Sequence, residues 1–482
     1  MLNRQLETTE PGVFVDGAWR HGSGPSLTVI DPCTGLPLAR VSAASTADVD
    51  SAVKAARAAL HAWRSTSMTE RGALLGRIAD MIESRAPELV ELQMRCNGKP
   101  RFEAELDVGD AASTFRYYAR QCADGKLRTS ERVELPDAAF EGVVRYEAVG
   151  VCALIVPWNF PMVTAAWKLA PALAAGCTVV IKPSELTPLA EFELLKIVSA
   201  AQVPSGVVNL IAGGRSVGEA LVAHQHVAKV SFTGSTEAGR SVMRSAAERM
   251  QRVSLELGGK SALIVFDDAD LDSAVDLAFN GAFFNAGQMC SATARVLVHA
   301  KLYAKFVDRL CTRAQQAVVG SPHVPDVCVG PLISAAQRDR VLGMIAQGKA
   351  AGASMVCGGP ASTVGFFVSP TVFVDVAPEN VLWREEIFGP VVCVCSFEKE
   401  HEAIALANDS DYGLVATVVT KDRERADRVA AACEVGMVWV NTPQSIFPQT
   451  AWGGMKLSGL GRELGLWGVR AYQEIKHVIT LA

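Results

Sequence analysis

Val230-Ser231-Phe232-Thr233-Gly234-Ser235-Thr236-Glu237-Ala238-Gly239 reads as a short apolar strand, a tight glycine turn and the opening of a helix. That strand-turn-helix unit is what α/β folds are assembled from. Outward from it the alternation recurs: strand-like runs at Val151 to Val156, Thr178 to Ile181, Val207 to Ile211 and Ala262 to Val265 are separated by helical stretches. A parallel sheet with helices on both faces is expected.

A second set of strand and helix segments occupies Ala292 to Asn441, including Arg295 to Val298, Val391 to Phe397 and Gly436 to Asn441, with no low-complexity linker between the sets. At 482 residues the chain exceeds what one hydrophobic core serves, so two or three domains are expected. The boundary falls close to Glu256 and Leu257, which puts Glu256 and Cys290 at a cleft between α/β domains, where ligand sites form.

Toward the N-terminus, Val49, Val53, Ala56, Leu60 and Trp63 recur three or four apart after a Ser45-Thr46 cap, predicting an amphipathic helix. Leu74, Leu75, Ile78, Met81 and Ile82 continue the pattern to Pro87, and Leu89, Leu92 and Met94 carry it to a stop at Asn97-Gly98-Lys99-Pro100. This quarter of the chain is mainly helical by pattern. Between Arg132 and Ala148 the spacing changes to that of two extended strands, a ribbon that needs a partner edge.

With 46 Lys+Arg against 51 Asp+Glu the formal charge is −5, which gives no electrostatic reason to expect nucleic acid or an anionic membrane as partner. A small molecule fits better. Met1 to Glu7 lacks the apolar stretch of a secretory signal, and the apolar run near Leu169 to Ile181 is too short to span a bilayer, so a soluble, cytoplasmic protein is expected. Twelve cysteines without a CxxC spacing do not form a disulfide or zinc framework, and His224-Gln225-His226 has no third ligand nearby, so no metal is expected.

Five segments carry chemistry. Cys290, in Phe284-Asn285-Ala286-Gly287-Gln288-Met289-Cys290-Ser291-Ala292, lies 34 residues after Glu256 of Glu256-Leu257-Gly258-Gly259-Lys260. A thiol attacks carbonyl carbon as thiolate, and with an ordinary pKa of ~8.5 it needs help from a base or dipole. Asn159, in Pro157-Trp158-Asn159-Phe160-Pro161, is either an oxyanion donor or a turn asparagine capping the following helix. Lys182 and Glu185, in Ile181-Lys182-Pro183-Ser184-Glu185, suit ribose and phosphate oxygens or form a surface ion pair. No GxGxxG follows a strand; the turn at Gly234 and Ser235 either places backbone N–H groups against phosphate or is an ordinary helix cap.

In order along the chain, Pro157 to Pro161, Ile181 to Glu185, Phe232 to Gly239, Glu256 to Lys260, Phe284 to Ala292, Glu385 to Pro390 and Trp452 to Gly465 resemble the aldehyde dehydrogenase superfamily across essentially the whole sequence. The resemblance implies that Cys290 is the nucleophile, that Asn159 and the Cys290 backbone N–H form the oxyanion hole, and that Glu256 is the general base. It implies that Lys182 and Glu185 bind the adenosine ribose, that Trp158, Gly234 and Ser235 lie against the pyrophosphate, and that Glu386 and Phe388 position the nicotinamide ribose and ring. Lys168 and Glu463 match the family's proton relay. The chemistry implied is oxidation of an aldehyde to its acid through a cysteine thiohemiacetal and thioester. NAD is the implied cofactor, because a carboxylate at Glu185 repels the extra phosphate of NADP, though members with this glutamate sometimes accept both.

Ala451 to Gly468 is similar to the corresponding segment of betaine aldehyde and aminoaldehyde dehydrogenases, and Phe160, Trp167, Phe284 and Trp452 match that subgroup's aromatic channel residues. Such a box holds an ammonium group by cation–π attraction, but channels for apolar aldehydes are aromatic too. Asp107 and Asp110 resemble acidic residues at the channel mouth of plant aminoaldehyde enzymes, and an exposed helix face explains them as well. Two positions depart from the subgroup. Ala451 replaces an expected proline, and Met437 stands where a small residue makes room for a trimethylammonium group, which favours slimmer aminoaldehydes.

The implied architecture is a Rossmann-like cofactor domain (residues 1–128 and 148–256), an α/β catalytic domain (257–457) and a β oligomerisation arm (129–147 and 468–482, with Ile475 to Leu481 as its C-terminal strand), giving a homodimer or homotetramer. A broad-specificity or acylating dehydrogenase, and a non-catalytic nucleotide-binding protein on the same scaffold, are the competing expectations.

Overall fold

The computed structural model describes residues 9–359, 362 and 364–482; the segment Met1 to Glu7, expected to lack a secretory signal, lies outside the described residues. Helices α1 (Thr46–Ser65), α2 (Met68–Ser84), α3 (Ala86–Asn97) and α4 (Arg101–Ala123) occupy the stretch that the apolar spacing predicts as helical. Ser45 opens α1 with a capping box: its side chain accepts the Asp48 N–H while the Asp48 carboxylate accepts the Ser45 N–H at 2.9 Å. Gly98, at φ 83°, ends α3 in the left-handed conformation that glycine adopts without a Cβ penalty. Before α1 the chain forms strands of three to seven residues between Thr9 and Ser42, in a stretch too rich in glycine and proline for them to show in the pattern.

Among the described residues the first sheet has the order Gly459–Leu460, Arg252–Glu256, Lys229–Thr233, Val151–Ile155, Thr178–Lys182, Val208–Ile211, Val13–Val15, Ala18–Arg20. Its strands from Arg252–Glu256 to Val208–Ile211 are parallel, as the alternation requires. Along Val151–Ile155, Cys152 and Leu154 face one apolar cluster and Val151, Ala153 and Ile155 the other, so both faces are covered. Helix α5 (Pro161–Ala175) is buried on every side, while α6 (Pro188–Ala200), α7 (Arg215–Val222) and α8 (Thr236–Ala247) complete the layers. Arg252–Glu256, charged at both ends, is a parallel strand that its residues do not advertise.

The second sheet runs Ser354–Cys357, Thr371–Val374, Val391–Phe397, Arg295–His299, Ala262–Val265, Val415–Val419, Met437–Val440, parallel except for its first pair. Helices α9 (Leu271–Phe283), α10 (Ala300–Gln315) and α11 (Ala335–Ala350) flank it. The chain leaves the first sheet at Glu256 and enters the second at Ala262. A third sheet pairs Gln473–Leu481 with Phe140–Ala148 and that strand with Ser130–Val133. A short helix, Gly465–Arg470, leads into the strand Gln473–Leu481.

Candidate active site

Cys290 follows a backbone that only strong local constraint sustains. After α9 the chain turns through Asn285 (φ 49°), Ala286 (φ 54°) and Gly287 (φ 72°), three successive left-handed residues, two of them not glycine. A Cβ at Gly287 would stand 2.1 Å from the Gly389 carbonyl oxygen. The Glu103 carboxylate accepts the Asn285 N–H at 2.9 Å, and Gln288 Nε2 donates to the Asn285 carbonyl at 2.9 Å while its Oε1 accepts the Ile333 N–H at 2.8 Å. Beyond the cysteine, Gln444 accepts from the Ser291 hydroxyl at 2.8 Å and donates to the Ser291 carbonyl at 3.1 Å. The thiol is thereby held from both sides along the chain.

Burial, with Glu386 and then Glu256 adding to it, pushes the Cys290 thiol up to about 12. Without a base or a bound cation the sulfur is protonated at neutral pH. Glu256, the last residue of its strand, is buried with neither carboxylate oxygen hydrogen-bonded. Burial first and the Glu463 charge second hold its carboxyl well above the usual carboxylate range, against the pull of Lys168 and Arg462. Gly453 leaves space in front of it, since a Cβ there would lie 2.7 Å from Glu256 Oε1. Lys168 Nζ donates to Glu463 Oε1 at 2.5 Å and to Thr233 Oγ1 at 2.7 Å, and Ser231 Oγ donates to the same carboxylate oxygen at 3.2 Å.

Asn159 lies in the loop between Val151–Ile155 and α5, next to the N-cap residue Phe160, with Pro161 in the first turn of the helix. Its Nδ2 donates to the Gln288 carbonyl at 3.0 Å, which fixes the amide plane two residues from Cys290 in sequence and leaves one Nδ2 hydrogen uncommitted.

Trp158 meets Phe388 edge to face, centroids 5.2 Å apart. Glu386 Oε1 accepts the Gly259 N–H at 3.0 Å, and burial pushes the Glu386 carboxyl up to about 7. From α11, Arg340 donates to the Glu386 and Ile387 carbonyls at 2.7 and 2.6 Å and Gln337 to the Phe388 carbonyl at 2.8 Å, so one helix face grips three successive peptides. Ser235 caps α8, accepting the Ala238 N–H at 3.2 Å, and Gly234 lies on the Phe232 ring, which a Cβ would meet at 2.6 Å. The donor set suits a nucleotide: a helix N-terminus faces the cavity at one point and a carboxylate at another, and Gly258 lies so close that a Cβ would stand 2.5 Å from Glu386 Oε2. Lys182 and Glu185 approach each other at 3.7 Å beyond the cavity lining, Lys182 buried with its ammonium pKa lowered by that burial and Glu185 exposed.

These groups open into a cavity of about 1130 Å³. Phe160 and Phe284 stack across it at 6.2 Å, and Trp167 and Trp452 lie 5.5 Å apart. Phe102, Leu106 and Phe447 are exposed and also line it, with half-buried Asp110 beside them. Residues 19–478 match the aldehyde dehydrogenase family. The chain belongs to that family. Betaine aldehyde dehydrogenase 1 of Oryza sativa subsp. japonica is 43% identical over 479 residues, covering 97% of this chain and 94% of that protein. Aminoaldehyde dehydrogenase 2 of Zea mays is 43% identical over 480 residues, with the same coverage of each. The NAD+ complex of an aldehyde dehydrogenase from Bacillus cereus superposes with a TM-score of 0.96 at 40% identity, over 99% of this chain and 98% of that one. Betaine aldehyde dehydrogenase of Staphylococcus aureus, in complex with NAD+, does so with 0.96 at 37% identity, over 99% and 96%.

The aldehyde dehydrogenase fold and the oxidation of an aldehyde expected from the sequence are thus borne out. Of the residues that the family resemblance singles out, Trp158, Asn159, Phe160, Trp167, Gly234, Ser235, Glu256, Phe284, Cys290, Glu386, Phe388, Trp452 and Glu463 line one cavity, and Lys168 stands behind Glu463. Asp107 differs from the exposed helix face that its surroundings in sequence allow: its side chain is wholly buried against Lys99. Met437 packs partly buried against the first core, away from the cavity lining. Gln337, Arg340 and Gln444 belong to the site with no motif around them, and Lys99 sits in a segment whose pattern announces only a helix end. Among the described residues no helix is long and apolar enough to cross a membrane, and no group of three metal-ligating side chains occurs.

Proposed function

We propose that the protein oxidises an aldehyde carrying an amino or quaternary ammonium end, an ω-aminoaldehyde or betaine aldehyde, with NAD as acceptor and NADP as a poorer alternative. The observation that carries this is the shared cavity, in which Cys290, Glu256 and Asn159 occupy one wall system with Phe160, Trp167, Phe284 and Trp452. Relatives named for betaine aldehyde and for aminoaldehydes support it.

Cys290 Sγ, deprotonated, adds to the aldehyde carbon, and the carbonyl electron pair moves onto oxygen. The uncommitted Nδ2 hydrogen of Asn159 and the Cys290 N–H receive that oxyanion. NAD, when bound, supplies the hydride acceptor that turns the Cys290 adduct into a thioester. Glu256 takes a proton from water as it attacks the thioester carbon, the C–S bond breaks, and the acid leaves. The Lys168–Glu463 pair, whose charges act on Glu256, carries that proton onward. Lys182 and Glu185 hold the adenosine ribose, Trp158, Gly234 and Ser235 the pyrophosphate, and Glu386 and Phe388 the nicotinamide end.

Residues 1–128 and 148–256 act as the cofactor domain, residues 257–457 as the catalytic domain, and the third sheet as the arm of a homodimer or homotetramer; exposed Ile475, Ile479 and Leu481 on its edge strand support the last point. The working compartment is the cytoplasm, in keeping with twelve free thiols. A second reading, broad specificity for apolar aldehydes, is favoured by Phe102, Leu106 and Phe447 at the mouth. The test is kcat/KM for 4-aminobutyraldehyde, 3-aminopropionaldehyde, betaine aldehyde, hexanal and benzaldehyde, each with NAD and NADP. The cationic aldehydes should lead by about tenfold, equivalent to about 1.4 kcal/mol. A lead for hexanal or benzaldehyde would decide for the second reading.

A further inference from the structure

Helix α5 carries Trp167 and Lys168 and follows directly on Asn159 and Phe160, yet its N-cap residue, Phe160, makes no side-chain cap hydrogen bond. The cap comes from another helix. Asp107 Oδ1, on α4, accepts the N–H of Val163, the third residue of α5, at 2.8 Å, which is where an N-cap side chain ordinarily bonds. Asp107 Oδ2 accepts from Lys99 Nζ at 2.7 Å, and Lys99 donates again to the Asn159 carbonyl at 2.9 Å. Both side chains are wholly buried.

The Asn159 carbonyl takes a second donor, Asn285 Nδ2, at 3.0 Å, and the Asn285 N–H is held by Glu103, one turn before Asp107 on α4. One helix therefore braces the main chain of Asn159, through Asp107 and Lys99, and the strained turn before Cys290, through Glu103. Asp107 also borders the cavity, so a second role competes, that of receptor for a substrate ammonium. Its chemistry argues against that role: both oxygens are already hydrogen-bonded, and an incoming cation would meet the Lys99 ammonium, which lies 4.2 Å from the Phe160 ring centroid.

We propose that Asp107 and Lys99 are positioning residues that set the Asn159 amide and the first turn of α5, and that Asp107 is not the receptor for the cationic end of a substrate. The proposal rests on Asn159 being the oxyanion donor.

Its test is first-turnover and steady-state kinetics of Asp107→Asn with 4-aminobutyraldehyde and with hexanal, with and without Asn159→Ala. Because Asp107→Asn leaves a buried ammonium without its carboxylate, at a cost to folding, Asp107→Glu, which keeps the charge and displaces the carboxylate, is the second variant, with folding checked by circular dichroism. The expected result is a fall of roughly tenfold to a hundredfold in the first-turnover rate, equal for the two aldehydes, with each KM within about twofold of the parent. In the Asn159→Ala background the same substitution should cost clearly less than in the parent. A raised KM for 4-aminobutyraldehyde with hexanal kinetics unaltered would overturn the proposal, as would additive losses in the double variant. A parental rate in Asn159→Ala alone would instead overturn the oxyanion role and the proposal with it, which separates the two failures.

Discussion

At the inner end of the cavity Asn159, Lys168 and Glu463 are each fixed by hydrogen bonds, while Glu256 has no partner on either carboxylate oxygen; at the mouth, Phe102, Leu106 and Phe447 stand 48, 51 and 57% exposed. The inner end uses its polar groups for orientation and leaves Glu256, the proposed base, without a partner. The mouth has little orientation to give, and offers apolar surface with the half-buried Asp110 among it. Changes at the inner end should therefore act on rate, and changes at the mouth on the choice and capture of aldehyde.

The sharpest way to break this contrast is Cys290→Ala, which should lower NADH formation from aldehyde by about 10⁴-fold or more, measured in steady state. Activity near the parental rate would remove the nucleophile from the account. Next in size, Asn159→Ala should cost roughly 10² to 10³ in kcat for charged and uncharged aldehydes alike, the scale of a lost oxyanion donor. If the loss appeared in KM for one aldehyde only, the inner end would be recognising substrate rather than stabilising charge.

The inner end also predicts a pH dependence. With the Cys290 thiol pushed up to about 12 by burial and the carboxylates of Glu386 and Glu256, its alkylation by iodoacetamide in cofactor-free protein should rise by about tenfold per pH unit from 7 to 10, with no plateau. A plateau near pH 8 to 9 would mean that the sulfur is less desolvated than its surroundings imply. The smallest effect belongs to the mouth. Burial and the neighbouring Asp107 push Asp110 up to about 6, so its charge, present above that pH, is lost as pH falls through it. KM for 4-aminobutyraldehyde should rise severalfold between pH 7 and pH 5, and Asp110→Asn should flatten that rise while raising KM at pH 7 by about twofold to fivefold. An unchanged profile in the variant would take Asp110 out of substrate capture.

The same contrast governs what was legible in the sequence. Cys290, Glu256, Asn159 and the Gly234 turn stand in short contiguous motifs because each needs its own local backbone, and local backbone is written in neighbouring residues. The parallel strands that are apolar runs buried on both faces were legible for the same reason, whereas Arg252–Glu256, charged at both ends, was not. Lys99, Asp107, Gln337, Arg340 and Gln444 act across long sequence separations, Lys99 on Asn159, Gln444 on Ser291 and Arg340 on Glu386 and Ile387, so nothing beside them in the chain marks their work. Asp107 illustrates the cost of reading locally. An aspartate on a polar-looking helix face suggests solvent or substrate, and its true partners, Lys99 and the Val163 N–H, appear only when α4 meets α5. The strands between Thr9 and Ser42, three to seven residues long, escaped because glycines and prolines in and between them blur the alternation.

The central claim is that the aldehyde carbon passes through a covalent bond to Cys290. It is tested most directly by mixing a Glu256→Gln variant with NAD and excess 4-aminobutyraldehyde, following NADH in the first turnover and mapping the quenched protein by peptide mass spectrometry. The account predicts a burst of about one NADH per subunit, slow turnover after it, and an acyl group on the Cys290 peptide. No burst, or an acyl group absent from Cys290 or found on another cysteine, would contradict it.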